Sequence, residues 1–288
     1  MTDVVKTEPL APPTLVQEGS ATDDSQIEVV WDPLTGQDAG FDAITEYIVY
    51  WDNGSTGTNW LELVAQEDGA FTYSYVHSLG ITRGNEYQFR YRGVNIHGQG
   101  ADSQASTIKA SKEPQAPLAP ALTVSSTDVI VTWLESPDDH GSAVTDYRVE
   151  FKQVDDVFSQ VAECQPIASS LEFSSRSCTI PMSTFRDSPF SLPIGSLIVG
   201  VVTAINEKGD SARSTENGSG ATVQGAPSAS PALSRGDQTN ESQIELTWVP
   251  ISEMEDIGNS AITGHKIYWD SGDGLGNYNL FDDITDPA

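Results

Sequence analysis

The chain repeats itself, and this internal repeat constrains its fold more than any other feature of the sequence. Residues 25–33 (SQIEVVWDP) return as residues 242–250 (SQIELTWVP), and residues 43–52 (AITEYIVYWD) return as residues 261–270 (AITGHKIYWD). A more distant copy lies between them, in residues 129–133 (VIVTW) and 143–151 (AVTDYRVEF). The sequence therefore contains three copies of one unit. The two outer copies resemble each other most, which indicates a two-module period in a longer parent protein.

Each copy has the pattern of β-strands. Apolar side chains alternate with polar ones from Ile27 to Trp31 and from Tyr47 to Trp51, as in a strand that turns one face to a core. Gly, Pro, Asp and Ser cluster between these runs, as turns require. No segment shows a helical period. We therefore predict an all-β fold built from tandem sandwiches.

Proline-bearing segments separate the copies, at residues 8–13, 113–120 and 226–231. Proline at the start of a strand protects a sheet edge and stiffens a linker, so these segments are interpreted as short, semi-rigid hinges. The predicted boundaries are 1–9 for the tail of a preceding module and its linker, 10–113 for the first module, 114–225 for the second, and 226–288 for a partial third.

A family resemblance follows from the middle copy. Residues 133–149 (WLESPDDHGSAVTDYRV) closely resemble the segment between strands B and C of fibronectin type III domains. Residues 81–89 (ITRGNEYQF) are similar to the start of strand F in that family. The resemblance implies immunoglobulin-like β-sandwiches, two complete and one partial.

The resemblance also implies roles for particular residues. The core signature would be Trp31, Trp133 and Trp248 on strand B, Tyr47 and Tyr147 on strand C, and Tyr87 as the corner tyrosine whose hydroxyl bonds back to the chain. Asn95 and Gly98 match the turn between strands F and G. The second copy departs from the pattern with Ile198 at the corner tyrosine, and the third with His265 at the strand C tyrosine.

The second copy also resembles a variant found in very large surface proteins of ciliates and other protists. The matching segment runs from Cys164 through residues 178–182 (CTIPM), followed by a short linker and Leu192 leading into strand F.

The third copy is expected to be incomplete. Residues 60–70 align without a gap on residues 278–288, so the third copy has strands A, B, C and C′ and lacks E, F and G. Ile244, Leu246 and Trp248 would then lose much of the layer that faces them. We expect that the natural chain continues, or that a neighbouring molecule completes this sandwich.

The two cysteines, Cys164 and Cys178, lie within the second copy. One interpretation is a disulfide between strand C′ and the E region, and the other is a pair of free buried thiols. Three sequons for N-glycosylation, at Asn53, Asn217 and Asn240, fall in predicted loops or module edges. Together with a disulfide they favour an extracellular or cell-surface location.

The charge is strongly unbalanced, with 42 acidic and 14 basic residues and a formal net charge of −28. Such a surface repels nucleic acid and anionic membranes, so neither is expected as a direct partner. It keeps a β-rich protein soluble, and it could also attract cations. Oxygen ligands for Ca²⁺ are present in acidic pairs, although none has EF-hand spacing and such loops are usually just solvated. These residues are Asp23-Asp24, Asp138-Asp139, Asp282-Asp283, Asp270 and Asp273.

Two short motifs carry weak functional signals. Arg235-Gly236-Asp237 spells the integrin-type adhesive tripeptide, but it lies near strand A rather than at the loop between strands F and G, so a chance occurrence is the alternative. The glycine-rich residues 272–276 fit a hairpin turn, because no helix follows to complete a phosphate-binding loop.

Catalysis has no support in the sequence. Four histidines are scattered among the copies, and no HExxH or GxSxG motif is present. We expect no enzyme activity, no cofactor and no metal site. The leading hypothesis is a rod, spacer or filament segment that contacts other modules or copies of itself. The alternatives are an adhesion or receptor-type ectodomain that binds through loop tips such as residues 96–99, and accessory modules of a larger secreted enzyme.

Overall fold

The structure, a computed structural model, describes residues 4–67, 69, 71–167, 169–270, 272 and 276–285. Its strands are β1 (Gln17–Glu18), β2 (Ile27–Val30), β3 (Glu46–Trp51), β4 (Leu61–Glu67), β5 (Ser74–His77), β6 (Glu86–Asn95), β7 (Gly98–Gln99), β8 (Ser106–Lys109), β9 (Ala121–Ser125), β10 (Asp128–Thr132), β11 (Asp146–Lys152), β12 (Phe158–Ser159), β13 (Ser177–Pro181), β14 (Gly200–Asn206), β15 (Gly209–Asp210), β16 (Ser234–Arg235), β17 (Leu246–Thr247), β18 (Gly264–Trp269) and β19 (Asn279–Thr285). Its two helices are α1 (Leu171–Ser175) and α2 (Met182–Arg186).

The first copy forms a sandwich of two antiparallel sheets. One sheet has the order β1-β2-β5, and the other has the order β4-β3-β6-β7, with β8 paired to β6. Burial alternates along β2 and along the whole of β6, so alternate side chains from both sheets face one core. That core consists mainly of Ile27, Val29, Trp31, Tyr47, Val49, Trp51, Tyr87, Phe89, Tyr91 and Ile108. Each fully buried aliphatic or aromatic side chain contributes about 1.5–3 kcal/mol.

The second copy repeats this arrangement. Its sheets have the orders β9-β10-β13 and β12-β11-β14-β15. Strand β10 pairs with both neighbours in antiparallel register, with Val131 opposite Leu122 on one side and Cys178 on the other. The predicted fold class, tandem β-sandwiches, is confirmed.

The second copy also contains two short helices, which the sequence pattern did not indicate. Helix α2 is only five residues long, and it directs Met182 and Phe185 into the core. The Phe185 ring packs edge-on against Phe151, with the ring centroids 5.2 Å apart. Leu192 lies in the segment that leads into β14, which begins at Gly200. A single helical turn between strands gives no periodic signal that could have predicted it.

The third copy has only two two-stranded sheets among the described residues, β16-β17 and β18-β19. Ile244 is 72% exposed, whereas Ile27, its counterpart in the first copy, is fully buried. Trp248 is half-buried, and its ring packs edge-on against His265 with the centroids 5.7 Å apart. The apolar residues of this copy therefore lack most of the facing layer that the first copy provides.

The chain divides into two compact units. The first contains the chain up to Pro117 together with Glu135–Tyr147 and Thr203–Arg213, and the second contains Leu118–Leu134, Arg148–Val202 and the chain from Ser214 onward. The predicted module boundaries follow the sequence repeat, whereas these units follow packing. The first unit thus contains the whole first copy and two loop regions of the second. Neither described helix is long or apolar enough to cross a membrane.

The difference in burial predicts a difference in amide exchange. We expect the amides of β2 and β3 to be strongly protected and those of β17 and β18 to exchange rapidly, because protection follows buried packing and sheet pairing on both sides. Hydrogen-exchange mass spectrometry on the full chain measures both regions at once. Similar protection in the two copies would show that the third copy is stable without a facing layer.

Candidate intermodule interface

The segment that follows β8 is held against the loop between β10 and β11, here called the second B–C loop (residues 133–145). The Lys112 amide donates a hydrogen bond to the His140 carbonyl at 3.3 Å, and the Gln115 amide donates to the Asp138 carbonyl at 2.8 Å. The same two bonds recur in the other copies, between Thr7 and Gly40, Leu10 and Asp38, Gly225 and Gly258, and Ser228 and Asp256. Each copy therefore binds its own entry segment by the same backbone pairing.

The buried side chain of Asn206, at the end of β14, connects this segment to the loop. Its amide nitrogen lies 2.9 Å from the Lys112 carbonyl oxygen, 3.2 Å from that of Ser142 and 3.3 Å from that of Asp139. Its side-chain oxygen accepts a hydrogen bond from the Lys208 amide at 2.8 Å. A buried amide with all its groups satisfied fixes the geometry around it, because each lost partner would leave a polar group desolvated.

Asn95 makes the matching contacts in the first copy. Its amide nitrogen donates to the Thr7 carbonyl at 2.7 Å and to the Ala39 carbonyl at 2.9 Å, and its oxygen accepts from the His97 amide at 2.8 Å. The sequence predicted Asn95 at a turn but did not identify Asn206. The recurring pattern Asn-x-x-Gly at 95–98 and 206–209 was the signal that could have found it.

Asp24 of the first copy is the centre of one ion-pair cluster in the first unit. Its carboxylate lies 2.9 Å from His140 Nδ1 and 3.1 Å from Lys112 Nζ. Partial burial alone would raise the pKa of Asp24, but the hydrogen bonds from His140 and Lys112 outweigh it, and the pKa is lowered. Asp24 is therefore charged at neutral pH and serves as an acceptor for the second copy.

Arg83 extends this cluster to the carboxylates of the second B–C loop. Its guanidinium contacts both carboxylate oxygens of Asp138, with Nη1 and Oδ2 3.0 Å apart, and it lies 3.2 Å from Asp139. The backbone amide of Gly141, and then Arg83, lower the pKa of Asp139. Bidentate pairing to a planar guanidinium gives directional as well as electrostatic contact.

Two further ion pairs involve the turn between β14 and β15. Lys109 lies 3.1 Å from Glu207, and Lys208 lies 2.7 Å from Glu18. The hydrogen bond from Lys109 is the largest cause of the lowered pKa of Glu207. The chain has only 14 basic residues, and four of them (Arg83, Lys109, Lys112 and Lys208) lie at this interface, so its scarce positive charge is concentrated there.

Two glycines bring the backbones of the two copies into contact. Gly141 has φ = +84°, and a Cβ atom on it would lie 2.7 Å from the Gly84 nitrogen. A Cβ atom on Gly84 would lie 3.3 Å from the Gly141 oxygen. Any side chain at Gly141 would be strained both by the backbone conformation and by this contact.

The predicted core signature residues occupy the following places. Trp31 and Trp133 are buried, each 4% exposed, whereas Trp248 is only half-buried. The Tyr47 hydroxyl accepts the Leu34 amide at 2.6 Å, and burial raises its pKa to about 12. The Tyr147 hydroxyl accepts the Ser136 amide at 3.4 Å.

Tyr87 bonds back to the chain at the entry of β6. Its hydroxyl accepts the Thr82 amide at 2.7 Å and donates to the Gly80 carbonyl at 3.3 Å. Its ring stacks on Trp51, with the centroids 5.7 Å apart. This contact fixes the loop that carries Arg83, so a core residue positions an interface residue.

The cysteines form the predicted disulfide. Cys164 follows β12, Cys178 lies in β13, their Cα atoms are 5.4 Å apart, and both are buried. Closing a loop of this length contributes about 3 kcal/mol in the chain-entropy account. The alternative of two free thiols was wrong.

The three sequons differ in accessibility. Asn53 and Asn240 are exposed. Asn217 is buried, its oxygen accepts the Gly200 amide at 2.6 Å, and its nitrogen donates to the Ile198 and Ser219 carbonyls. The expectation of a glycan on Asn217 is therefore at odds with the structure, because the nitrogen that would carry the sugar is buried and bonded.

The adhesive tripeptide has a structural explanation. Arg235 ends β16, and a Cβ atom on Gly236 would collide with the side chain of Glu245. Gly19 of the first copy is in the same situation with Glu28. The glycine thus leaves room for the Glu245 side chain, and this structural role supports a chance occurrence of the tripeptide.

Several of the acidic residues considered as Ca²⁺ ligands form ion pairs with basic side chains instead. Asp24, Asp138 and Asp139 belong to the ion pairs above, and Asp283 lies 3.7 Å from Lys266. Across the described ranges no group of three or more His, Cys, Asp or Glu side chains could hold a metal ion. Asp273, and most of the glycine-rich segment 272–276, lie outside the described residues.

Comparison with known proteins gives one curated relative and many solved structures. No family model matches the chain. A Xenopus laevis protein named "Cell adhesion molecule-related/down-regulated by oncogenes" is 29% identical over 163 residues, which is 54% of this chain and 12% of that protein. The chain thus spans about an eighth of this relative's length. The FN1–FN3 domains of chicken CNTN1 align with 74% of this chain and 67% of theirs, at 18% identity and a TM-score of 0.43.

The Asn206 contacts predict a large effect of one substitution. Asn206→Ala removes the buried donor shared by three backbone carbonyls, and we expect the free energy of unfolding to fall by about 2–4 kcal/mol. Urea denaturation of the full chain measures this loss. Asn85→Ala, at an exposed position in the same unit, is the control and should change stability by less than about 0.5 kcal/mol. Equal effects of the two changes would contradict the role of Asn206.

The sequons predict selective glycosylation. In material from the source organism we expect a glycan on Asn53 and none on Asn217, because only Asn53 is exposed. Deglycosylation in heavy-oxygen water followed by peptide mass spectrometry distinguishes the two sites. A glycan on Asn217 would show that the bonds to Ile198 and Ser219 do not form in the native protein.

Proposed function

We propose that this chain is a non-catalytic structural segment of a large extracellular or cell-surface protein, in which it acts as a spacer, rod or filament element. The observation that supports this most directly is the use of the second copy's loops. In a binding sandwich the B–C and F–G loop tips are available to a ligand. Here Asp138, Asp139, His140, Glu207 and Lys208 are all engaged with the first copy.

The composition of the interface supports a permanent contact rather than a ligand site. Exposed ion pairs are individually worth about 0–1 kcal/mol, so isolated pairs would be a weak argument. Here they surround a buried, fully bonded Asn206 and a backbone contact between Gly84 and Gly141. The buried bonds provide stability, and the surrounding charges specify how the two copies join.

The disulfide and the resemblances of the chain also support an extracellular location. The second copy contains a disulfide, and such bonds persist in oxidising compartments. Its resemblance to modules of very large protist surface proteins, and the curated likeness to a cell adhesion protein, support the same setting. The accessory-module alternative, with an enzyme domain elsewhere in the parent protein, has no separate support.

Adhesion is the second candidate, and one observation favours it. Within the part of the chain that the structure describes, residues 96–99 at the tip of the first copy's F–G loop make no ion pair with another copy, and Ile96 is 76% exposed. An exposed apolar residue at a loop tip is suited to a protein partner. Binding of cells to a surface coated with the chain, abolished by Ile96→Asp, would favour adhesion over a purely structural role.

The structural function predicts that the second B–C loop and the turn after β14 stay bound to the first copy. Carbodiimide, which joins carboxylates to amines in direct contact, should link Glu18 to Lys208 in the unmodified chain. Arg83→Asp should strongly reduce this link, because it places a fourth carboxylate beside Asp24, Asp138 and Asp139. Lys266→Asp, which removes an exposed positive charge in the third copy, is the control and should leave the link unchanged. An absent link in the unmodified chain would contradict a spacer with a fixed junction.

A further inference from the structure

The loop between β1 and β2, here called the first A–B loop (residues 19–28), is the element that carries Asp24. The Gly19 amide donates to the Glu28 carbonyl at 2.8 Å, and the Ala21 amide donates to the Glu28 carboxylate at 2.8 Å. The Thr22 hydroxyl accepts the Glu28 amide at 3.0 Å. The Asp23 side chain accepts two backbone amides and one hydroxyl from the next residues. These bonds hold Asp24 at the loop tip.

The loop between β16 and β17, the third A–B loop (residues 236–245), repeats most of this network. The Gly236 amide donates to the Glu245 carbonyl at 2.8 Å, and the Gln238 amide donates to its carboxylate at 2.6 Å. The Thr239 hydroxyl accepts the Glu245 amide at 2.9 Å, and the Asn240 side chain accepts the amide and hydroxyl of Ser242. The residue in the place of Asp24 is Glu241.

The second copy has no such loop. Strands β9 and β10 are separated only by Ser126 and Thr127. The acidic loop tip is therefore present in the outer copies and absent from the middle one, in agreement with the two-module period of the sequence. Only a copy of the outer type can offer this acceptor to the module that follows it.

Glu241 has the same charge as Asp24 but not its environment. The Asp24 carboxylate is only 17% exposed, since Lys112 and His140 cover it. Glu241 is exposed, and its side chain has no ion pair or hydrogen bond in the described part of the chain. The first unit thus shows which groups cover such a loop tip, and no lysine or histidine covers Glu241 among the described residues of the third copy.

We propose that the third A–B loop is a docking site for a following module of the second copy's type, which would place a lysine from its entry segment and a histidine from its B–C loop on Glu241. This inference rests on the proposed structural function and extends it to a second, equivalent junction. The parent protein would then alternate two kinds of junction, one with an acidic loop and one without.

The proposal has a consequence for the sequon at Asn240. The glycan acceptor lies next to Glu241, at the position that Asp23 occupies beside the first junction. A glycan on Asn240 would fill the space of the docked module, so glycosylation and docking exclude each other on any one molecule. The first copy avoids this conflict, because Asp23 cannot be glycosylated.

Carbodiimide cross-linking of the native protein tests the proposal, because this reagent joins carboxylates only to amines in direct contact. The Asp24–Lys112 pair, 3.1 Å apart, is an internal control. We expect a second cross-link from Glu241 to a lysine in a peptide that resembles residues 109–116, within one polypeptide, on peptides that carry no glycan at Asn240.

The outcomes separate this inference from the proposed function. Failure of the Asp24–Lys112 cross-link would contradict the junction itself and with it the structural role. Formation of that cross-link with Glu241 left unmodified would overturn only the docking site. So would a link from Glu241 to a second molecule, or full glycosylation of Asn240.

A loop exchange within the chain tests whether the third loop can serve as an acceptor. Four substitutions, Ser20→Asp, Ala21→Gln, Asp23→Asn and Asp24→Glu, convert the first A–B loop into the third. We expect carbodiimide to cross-link position 24 to Lys112 as in the unmodified chain. Asp24→Asn should abolish this cross-link, because the carboxylate that reacts with the amine is lost. An exchanged loop that behaves like Asp24→Asn would overturn the proposal.

Discussion

The carboxamide of Asn206 bonds to the linker and to the B–C loop at the same time, and the arrangement of the first unit depends on this contact. Its nitrogen reaches carbonyls on both sides of the junction, and its oxygen holds the turn that carries Lys208. Because the group is buried, these bonds have no competition from water. The ion pairs and the Gly84–Gly141 contact follow from the position that this amide fixes.

The junction has the character of a permanent internal surface. The first copy contributes Asp24, Glu18, Arg83 and Lys109, and the entry segment of the second copy contributes Lys112. The second copy contributes Asp138, Asp139, His140, Glu207 and Lys208. The acidic and basic side chains at the junction nearly balance, although the chain as a whole has a net charge of −28. The remaining surface stays acidic, which favours solubility and discourages unspecific association.

The three copies show how one fold accommodates different surroundings. All three retain the backbone pairing between entry segment and B–C loop, whereas the core is complete only in the first two. Ile27 and Ile244 stand at the same position of the repeat, but one is fully buried and the other is 72% exposed. The backbone pairing of the entry segment thus forms without the facing sheet. The burial of the apolar side chains requires that sheet, because the strands that cover them come from elsewhere in the sandwich.

The sequence by itself determined the repeat, the strands and the sandwich class, since period-2 alternation and repeated Trp and Tyr positions are local patterns. It also identified the cysteine pair and the corner tyrosine. Tertiary structure decided the rest. The role of Asn206 depends on carbonyls of Lys112 and Ser142 that are distant in the chain, and Asp24 became an acceptor only because folding brought His140 to it. The sequence predicted Asn217 in a loop or at a module edge, whereas packing in the folded chain buries it. A one-dimensional pattern records which side chains are present, whereas partners and burial depend on distances that only the folded chain defines.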